Sequence, residues 1–405
     1  LPKEQRKTER NKEAKMINEM ELRYGCNPHQ KPARIYIKDR DLPIRVVNGS
    51  PGYINMMDAL NSWQLVKELK QSLGLPSAAS FKHVSPAGAG VAVPLSDALK
   101  ASYFVQKDDL SPLAVAYARA RGADMMSSYG DFAALSEKVD VSTARILRRE
   151  VSDGVIAPGY DDDALEILRQ KKGGKYLVLE IDENFTPPKM ETKEIFGITL
   201  EQLRNDVVPD FSILDNIVTE KKDIPDWAKR DLIVATIAVK YTQSNSICFA
   251  YDGQVTGIGA GQQSRVHCVR LAATKSDIWY LRQHPRVLSL KFREGISRAE
   301  RNNAIDKYLL DDITDAEQRA WEKSFEEVPK RLTKEEKHEW LSGLKGVSLS
   351  SDAMFPFRDS LDRAAQSGVK YVVQAGSSIR DDEVTQSANE HGMVMALSKL
   401  RLFHH

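Results

Sequence analysis

Gly154-Val155-Ile156-Ala157-Pro158-Gly159 is a short apolar run that stops at a Pro-Gly pair, with Tyr160 and the acids Asp161-Asp162-Asp163 directly after it. Small and β-branched residues closed by a turn dipeptide read as a buried strand. Acids at the head of the next stretch favour a helix N-terminus, which predicts a helix through residue 171. Upstream, Ser127-Ser128 precedes an aromatic and an acid, and a helix is expected over 142–151. The same succession returns later: Ser350-Ser351-Asp352, then Phe355-Pro356-Phe357, a helical stretch, and Gly368 through Ala375-Gly376. Loop, helix, strand and loop, twice over, predict an α/β chain built from two related halves.

The expected halves run over 21–215 and 216–405, the second carrying a charged, amphipathic helical insert at about 297–345. Residues 1–20 alternate Lys, Arg and Glu and read as a charged tail. Apolar residues at helical spacing (Leu60, Trp63, Leu65, Val66, Leu69) predict a helix over 57–73, and further helices are expected over 95–105, 112–121, 227–241 and 264–273. Asp252-Gly253 between two apolar runs predicts a β-hairpin over 247–258. Residues 183–210 are mixed and Pro-containing.

At 405 residues the chain can bury a large core, and its 41% hydrophobic and 28% charged content is that of an ordinary soluble protein. With 58 basic against 57 acidic residues, the charge balance points to neither nucleic acid nor membrane. Cys26, Cys248 and Cys268 are odd in number and far apart, which favours a reducing compartment over a disulfide framework; the cytosol is expected.

Chemistry concentrates in Ser80-Phe81-Lys82-His83-Val84-Ser85-Pro86-Ala87-Gly88-Ala89-Gly90. A strand is expected to end in the Lys-His pair, with Pro and the glycines forming an open loop. Lysine supplies a fixed positive charge for an anion, and histidine a proton acceptor near neutral pH. A surface lysine and a structural histidine beside a turn are the alternative. Gly257-Ile258-Gly259-Ala260-Gly261 lacks the third glycine of a dinucleotide fingerprint, since Gln262 stands there, and reads as a tight turn. Neither an H-E-x-x-H helix nor a G-x-S-x-G elbow occurs.

Arg23-Tyr24-Gly25-Cys26-Asn27-Pro28-His29-Gln30, the Lys82-His83 segment, Lys240-Tyr241-Thr242-Gln243-Ser244-Asn245-Ser246, Gly257 to Arg265, Ser351-Asp352-Ala353-Met354-Phe355-Pro356-Phe357-Arg358-Asp359 and the closing Leu400-Arg401-Leu402-Phe403-His404-His405 come in one order. In that order the chain resembles the formyltransferase part of the bifunctional AICAR transformylase/IMP cyclohydrolase family, from about residue 22 to the end. The resemblance implies duplicated cytidine-deaminase-like domains without zinc, and a homodimer with active sites at the subunit interface. It implies formyl transfer from 10-formyltetrahydrofolate to the 5-amino group of AICAR in purine biosynthesis, and it admits a structural potassium ion.

By the same resemblance His83 takes the amine proton, Lys82 stabilises the oxyanion and Asn245 orients the histidine and the carboxamide. Arg23, Tyr24, Gly130, Asp153 and Arg401 match nucleotide contacts. Met126, Tyr129, Arg265, Met354 and Asp359 match the folate side. Tyr129 stands where the family often has Phe, and Met354 replaces an aromatic. A cyclohydrolase domain, expected upstream by family analogy, has no counterpart in these residues, so ring closure is not assigned. A nucleotide-binding scaffold without catalysis and a transferase using formate or another donor remain open.

Overall fold

The computed structural model describes residues 18–405; the charged tail expected at 1–20 lies outside the described residues up to 17. An eleven-stranded mixed sheet organises the molecule. In chain order its strands are β1 Ile44–Asn48, β2 Ser77–Lys82, β3 Ser85–Val91, β4 Asp131–Leu135, β5 Ser152–Ala157, β6 Leu177–Ile181, β7 Ile247–Tyr251, β8 Gln254–Gly259, β9 Val347–Ser351, β10 Val369–Gln374 and β11 Val394–Leu397. Across the sheet they run β11-β10-β9-β7-β8-β3-β2-β4-β5-β6-β1.

The pairing scheme repeats on either side of the centre. The hairpin β2–β3 is followed outward by antiparallel β4 and parallel β5 and β6. The hairpin β7–β8 is followed by antiparallel β9 and parallel β10 and β11. Gln254 opposite Gly90 joins β8 to β3 at the seam.

Neighbouring strand residues face opposite sides, as the two-residue period of a strand requires. Ala78, Phe249 and Val372 enter one apolar core with α2 (Pro112–Gly122) and α4 (Arg265–Leu281). Ala79, Cys248 and Val373 enter the other with α1 (Tyr53–Leu73) and α3 (Asp226–Lys240). Both faces are therefore covered, which explains strands that read as continuous apolar runs rather than alternating ones.

Two expectations, both at glycine-rich stretches, are corrected. Ser85–Val91 is no loop but buried β3. A Cβ at Gly88 would lie 2.1 Å from the Ala120 carbonyl oxygen, and one at Gly90 2.6 Å from the Arg119 Cβ, so the glycines admit helix α2 against the strand. Likewise Gly257 and Gly259 lie in β8, where added Cβ atoms would be 2.1 Å from the Ala272 and Cys268 carbonyl oxygens of α4. Both glycine pairs mark close backbone approach, where a loop and a tight turn were expected.

Residues 183–210 contain an antiparallel hairpin, Met190–Ile195 with Ile198–Leu203. The charged stretch 315–341, expected to be helical, is two helices, Asp315–Glu322 and Lys334–Leu341. Each starts at its own threonine capping box, Thr314 with Glu317 and Thr333 with Glu336. These helices and Arg298–Leu309 close a small core of their own around Tyr308, Trp321 and Phe325.

Candidate active site

Lys82 ends β2, Ser85 starts β3, and His83-Val84 form the turn between them. Both turn residues have positive φ, 52° at His83 and 60° at Val84. That is the left-handed pair a tight hairpin demands, and a β-branched residue there is strained by about 1–3 kcal/mol. The turn is clamped from below. Asp58 on α1 is only 6% exposed, and its Oδ1 accepts the Val84 N–H at 2.7 Å. Burial pushes the Asp58 carboxyl up to about 6, against the pull of the Val84 N–H and the charge of His83.

The turn leaves His83 exposed and sends Lys82 sideways, where its Nζ donates to the Tyr129 carbonyl oxygen at 2.5 Å. Tyr129 is half exposed and Gly130 has φ +70°, its N–H taken by the Val151 carbonyl at 2.8 Å. Beneath them Asp131 is fully buried, accepting from Ser80 and Arg121 at 2.7 and 2.9 Å, so this corner rests on a fixed polar footing. Asp153, near the start of β5, is exposed and pairs with Lys172 at 2.8 Å.

Arg23 and Tyr24 lie at the head of α1. The Arg23 N–H donates to Pro51, the Tyr53 N–H donates to Tyr24, and the Arg23 guanidinium reaches Asn55 at 3.2 Å. This places the two residues within two helical turns of Asp58. Arg23, Tyr24, Lys82, His83, Tyr129, Gly130 and Asp153 thus gather at one end of the first half.

The second group surrounds Asn245. Its Nδ2 donates to the Gln262 and Gln263 carbonyls at 3.0 and 3.2 Å, and its Oδ1 accepts from Arg265 Nη2 at 2.8 Å. Arg265 is 7% exposed and pairs through Nη1 with the fully buried Asp352. Arg265 is therefore a buried strut under Asn245. The Ser244 N–H donates to His404 and the His404 N–H to Ser244 Oγ, both at 3.0 Å, so the C-terminal segment braces the same loop. Gln243 N–H to Ser85 Oγ, 3.3 Å, links this loop to the His83 turn.

Met126, 38% exposed, borders a cavity of about 210 Å³ with Lys275, Trp279 and Arg282. Met354 and Asp359 are exposed around the head of the helix Asp359–Ala365, and Arg401 is exposed with its guanidinium 4.9 Å from the Phe403 ring centre. Among the described residues no hydrogen bond or ion pair ties Met354 or Asp359 to Met126 or Tyr129, nor Asn245 to His83. Sequence reasoning missed Asp58 and Asp352. Asp58 looks like one more polar position in a helix, whereas Asp352 stood inside a quoted motif and its buried charge could have been suspected.

Among the described residues no group of three or more His, Cys, Asp or Glu converges as a metal site, and no helix is long and apolar enough to cross a membrane. The chain is similar to the bifunctional purine biosynthesis protein PurH of Magnetococcus marinus, 32% identical over 394 residues, which cover 95% of this chain and 59% of that protein. It is 30% identical to the PurH protein of Xylella fastidiosa over 400 residues, 95% of this chain and 58% of the relative. The PurH protein of Elusimicrobium minutum is 29% identical over 393 residues with the same coverage, so the chain spans less than two thirds of these relatives. The family model for the AICARFT/IMPCHase bienzyme matches residues 2–275. With most of the chain matched by that model and 95% of it aligned to such proteins, this protein belongs to the AICARFT/IMPCHase bienzyme family.

Proposed function

We propose that this chain moves the formyl group of 10-formyltetrahydrofolate onto the 5-amino group of AICAR, giving the formylated nucleotide and tetrahydrofolate, the penultimate step of IMP synthesis. The observation that carries this reading is the pairing of an exposed His83 with Lys82, whose ammonium is fixed on the Tyr129 carbonyl.

The amine of AICAR is a weak nucleophile because its lone pair is conjugated with the ring. As nitrogen attacks the formyl carbon, His83 accepts the amine proton, a contribution of about 10² to 10⁴ in rate. Lys82 stays protonated and stabilises the tetrahedral oxyanion, worth roughly 10² to 10³. The C–N10 bond then breaks, and the folate nitrogen leaves with a proton in exchange for the one given up. Arg23 and Arg401 suit the phosphate, with Tyr24, Gly130 and Asp153 on the nucleotide and Met126, Tyr129, Met354 and Asp359 on the folate. Arg265 serves the folate side through the Asn245 loop that it braces.

The repeated pairing scheme of the sheet supports the duplicated cytidine-deaminase-like fold. An exposed apolar hairpin, with Phe196 99%, Leu203 71% and Ile198 62% exposed, fits a surface covered in a homodimer. A structural potassium ion belongs to this reading too. Thermal melts in potassium against sodium chloride test it.

Incubation with AICAR and 10-formyltetrahydrofolate, following tetrahydrofolate by absorbance and IMP by chromatography, tests the activity. Tetrahydrofolate formation that depends on both AICAR and the folate is the expected result. Product formed from formate with the folate omitted favours the other donor, and calorimetric AICAR binding without turnover favours the scaffold.

A further inference from the structure

The two central hairpins are held by the same device. Asp58 is the sixth residue of α1 and Asp231 the sixth residue of α3, the helices that precede hairpins β2–β3 and β7–β8. Each aspartate reaches the turn of its own hairpin. Asp231 is fully buried and completely engaged: Oδ1 accepts the Gly253 N–H at 2.7 Å, Oδ2 accepts the Asp252 N–H at 2.8 Å, and Arg230 pairs with it at 2.9 Å.

The first clamp differs from the second in three ways. Asp58 accepts one N–H, that of Val84, instead of two. Among the described residues its Oδ2 accepts no hydrogen bond and it has no ion-pair partner. Its turn carries His83 and Val84 where the other carries Asp252 and Gly253. A carboxylate on a side chain only 6% exposed is costly unless something compensates it, and His83, in the turn that Asp58 holds, is the neighbouring group that can become a cation.

Resting on the formyltransferase reading above, we infer that Asp58 is a positioning residue for the Lys82–His83 pair: its carboxylate holds the left-handed turn that presents His83 and sets a negative charge beside the imidazole. When His83 takes the amine proton it becomes an imidazolium, and the Asp58 charge stabilises that cation through space, without the hydrogen bond to the ring that the aspartate of a Ser-His-Asp triad accepts. Asp58 touches neither substrate nor folate. It accepts no proton in the step, which passes from the amine nitrogen to His83 and leaves the Asp58 protonation state unchanged.

Two variants separate the roles. Asp58→Asn keeps an oxygen for the Val84 N–H and removes the charge; Asp58→Ala removes both. In the full-length chain, hydrogen exchange of the peptide spanning 81–86 reports the clamp without needing activity, while steady-state kinetics report the charge. Asp58→Asn is expected to keep exchange within about threefold of wild type, lower kcat 10- to 100-fold, and leave the KM for AICAR within about threefold. Asp58→Ala is expected to exchange at least 10-fold faster. A kcat for Asp58→Asn within twofold of wild type overturns the charge role, and unchanged exchange in Asp58→Ala overturns the clamp. A wild-type chain that forms no tetrahydrofolate overturns the transferase reading and the charge role with it, while the exchange measurement still decides the clamp.

Discussion

Arg265 Nη2 donates to Asn245 Oδ1 at 2.8 Å, while the other end of the same guanidinium is paired with buried Asp352. One arginine thus fixes the amide of a candidate site residue and neutralises a carboxylate buried away from solvent. Removing one member of a buried pair costs about 3–5 kcal/mol, because the survivor is left charged and alone. Arg265→Ala should lose stability on that scale in urea unfolding. At permissive temperature it should lower kcat while leaving the KM for folate within about threefold. A large rise in folate KM with unchanged stability would instead make Arg265 a direct ligand contact.

Asp231 makes the corresponding test of the fold without touching the candidate chemistry. Asp231→Ala strips acceptors from the Asp252 and Gly253 N–H groups and strands Arg230. Each unmatched buried group costs about 1–3 kcal/mol, so a loss of roughly 3 kcal/mol is expected from chemical denaturation. Catalysis in the folded fraction should stay within twofold of wild type.

Burial raises both Asp58 and Asp231 from 3.8 to about 6. A carboxyl that binds its proton more tightly when folded stabilises fully below its unfolded value near pH 4, and that contribution is lost as pH rises through 6. Asp58→Asn cannot titrate. Its stability relative to wild type should therefore improve between pH 4 and pH 7, by roughly 3 kcal/mol at most. Paired urea titrations at the two pH values measure this, and a flat or reversed difference contradicts it. A charge that costs stability at neutral pH is the kind a functional site retains.

The glycines of β8 meet the backbone of α4 so closely that a methyl group has nowhere to go. Gly257→Ala would bring a carbon within 2.1 Å of the Ala272 oxygen and 2.8 Å of the Ser276 nitrogen. Neither partner is a flexible tip, so helix and strand must separate. A loss of about 3 kcal/mol or more is expected, seen as a lowered melting temperature or insoluble protein.

These close approaches also show what could be read from the sequence and what could not. Strands such as Ser152–Ala157 and the Asp252-Gly253 hairpin were legible because local pattern and turn chemistry agree with the fold. Pro86 to Gly90 was not, since proline and glycine signal a loop until a helix is known to lie against them. The Met190–Leu203 hairpin was hidden by its mixed composition, its strands lying outside the main sheet and largely exposed. At the site, Lys82 and His83 stood out as adjacent polar residues ending an apolar run. Asp58 lies 26 positions before Val84 in a helical stretch, and only the packing of α1 under the hairpin makes them partners.

The most direct test is the rate of tetrahydrofolate formation by His83→Ala against wild type, at saturating AICAR and 10-formyltetrahydrofolate. The side chain is exposed, and the calorimetric AICAR affinity shows whether the site is still folded, so the rate reports its chemistry. If His83 takes the amine proton, kcat falls by about 10² to 10⁴ while AICAR affinity by calorimetry stays within a few-fold. A His83→Ala protein that turns over at the wild-type rate contradicts the account.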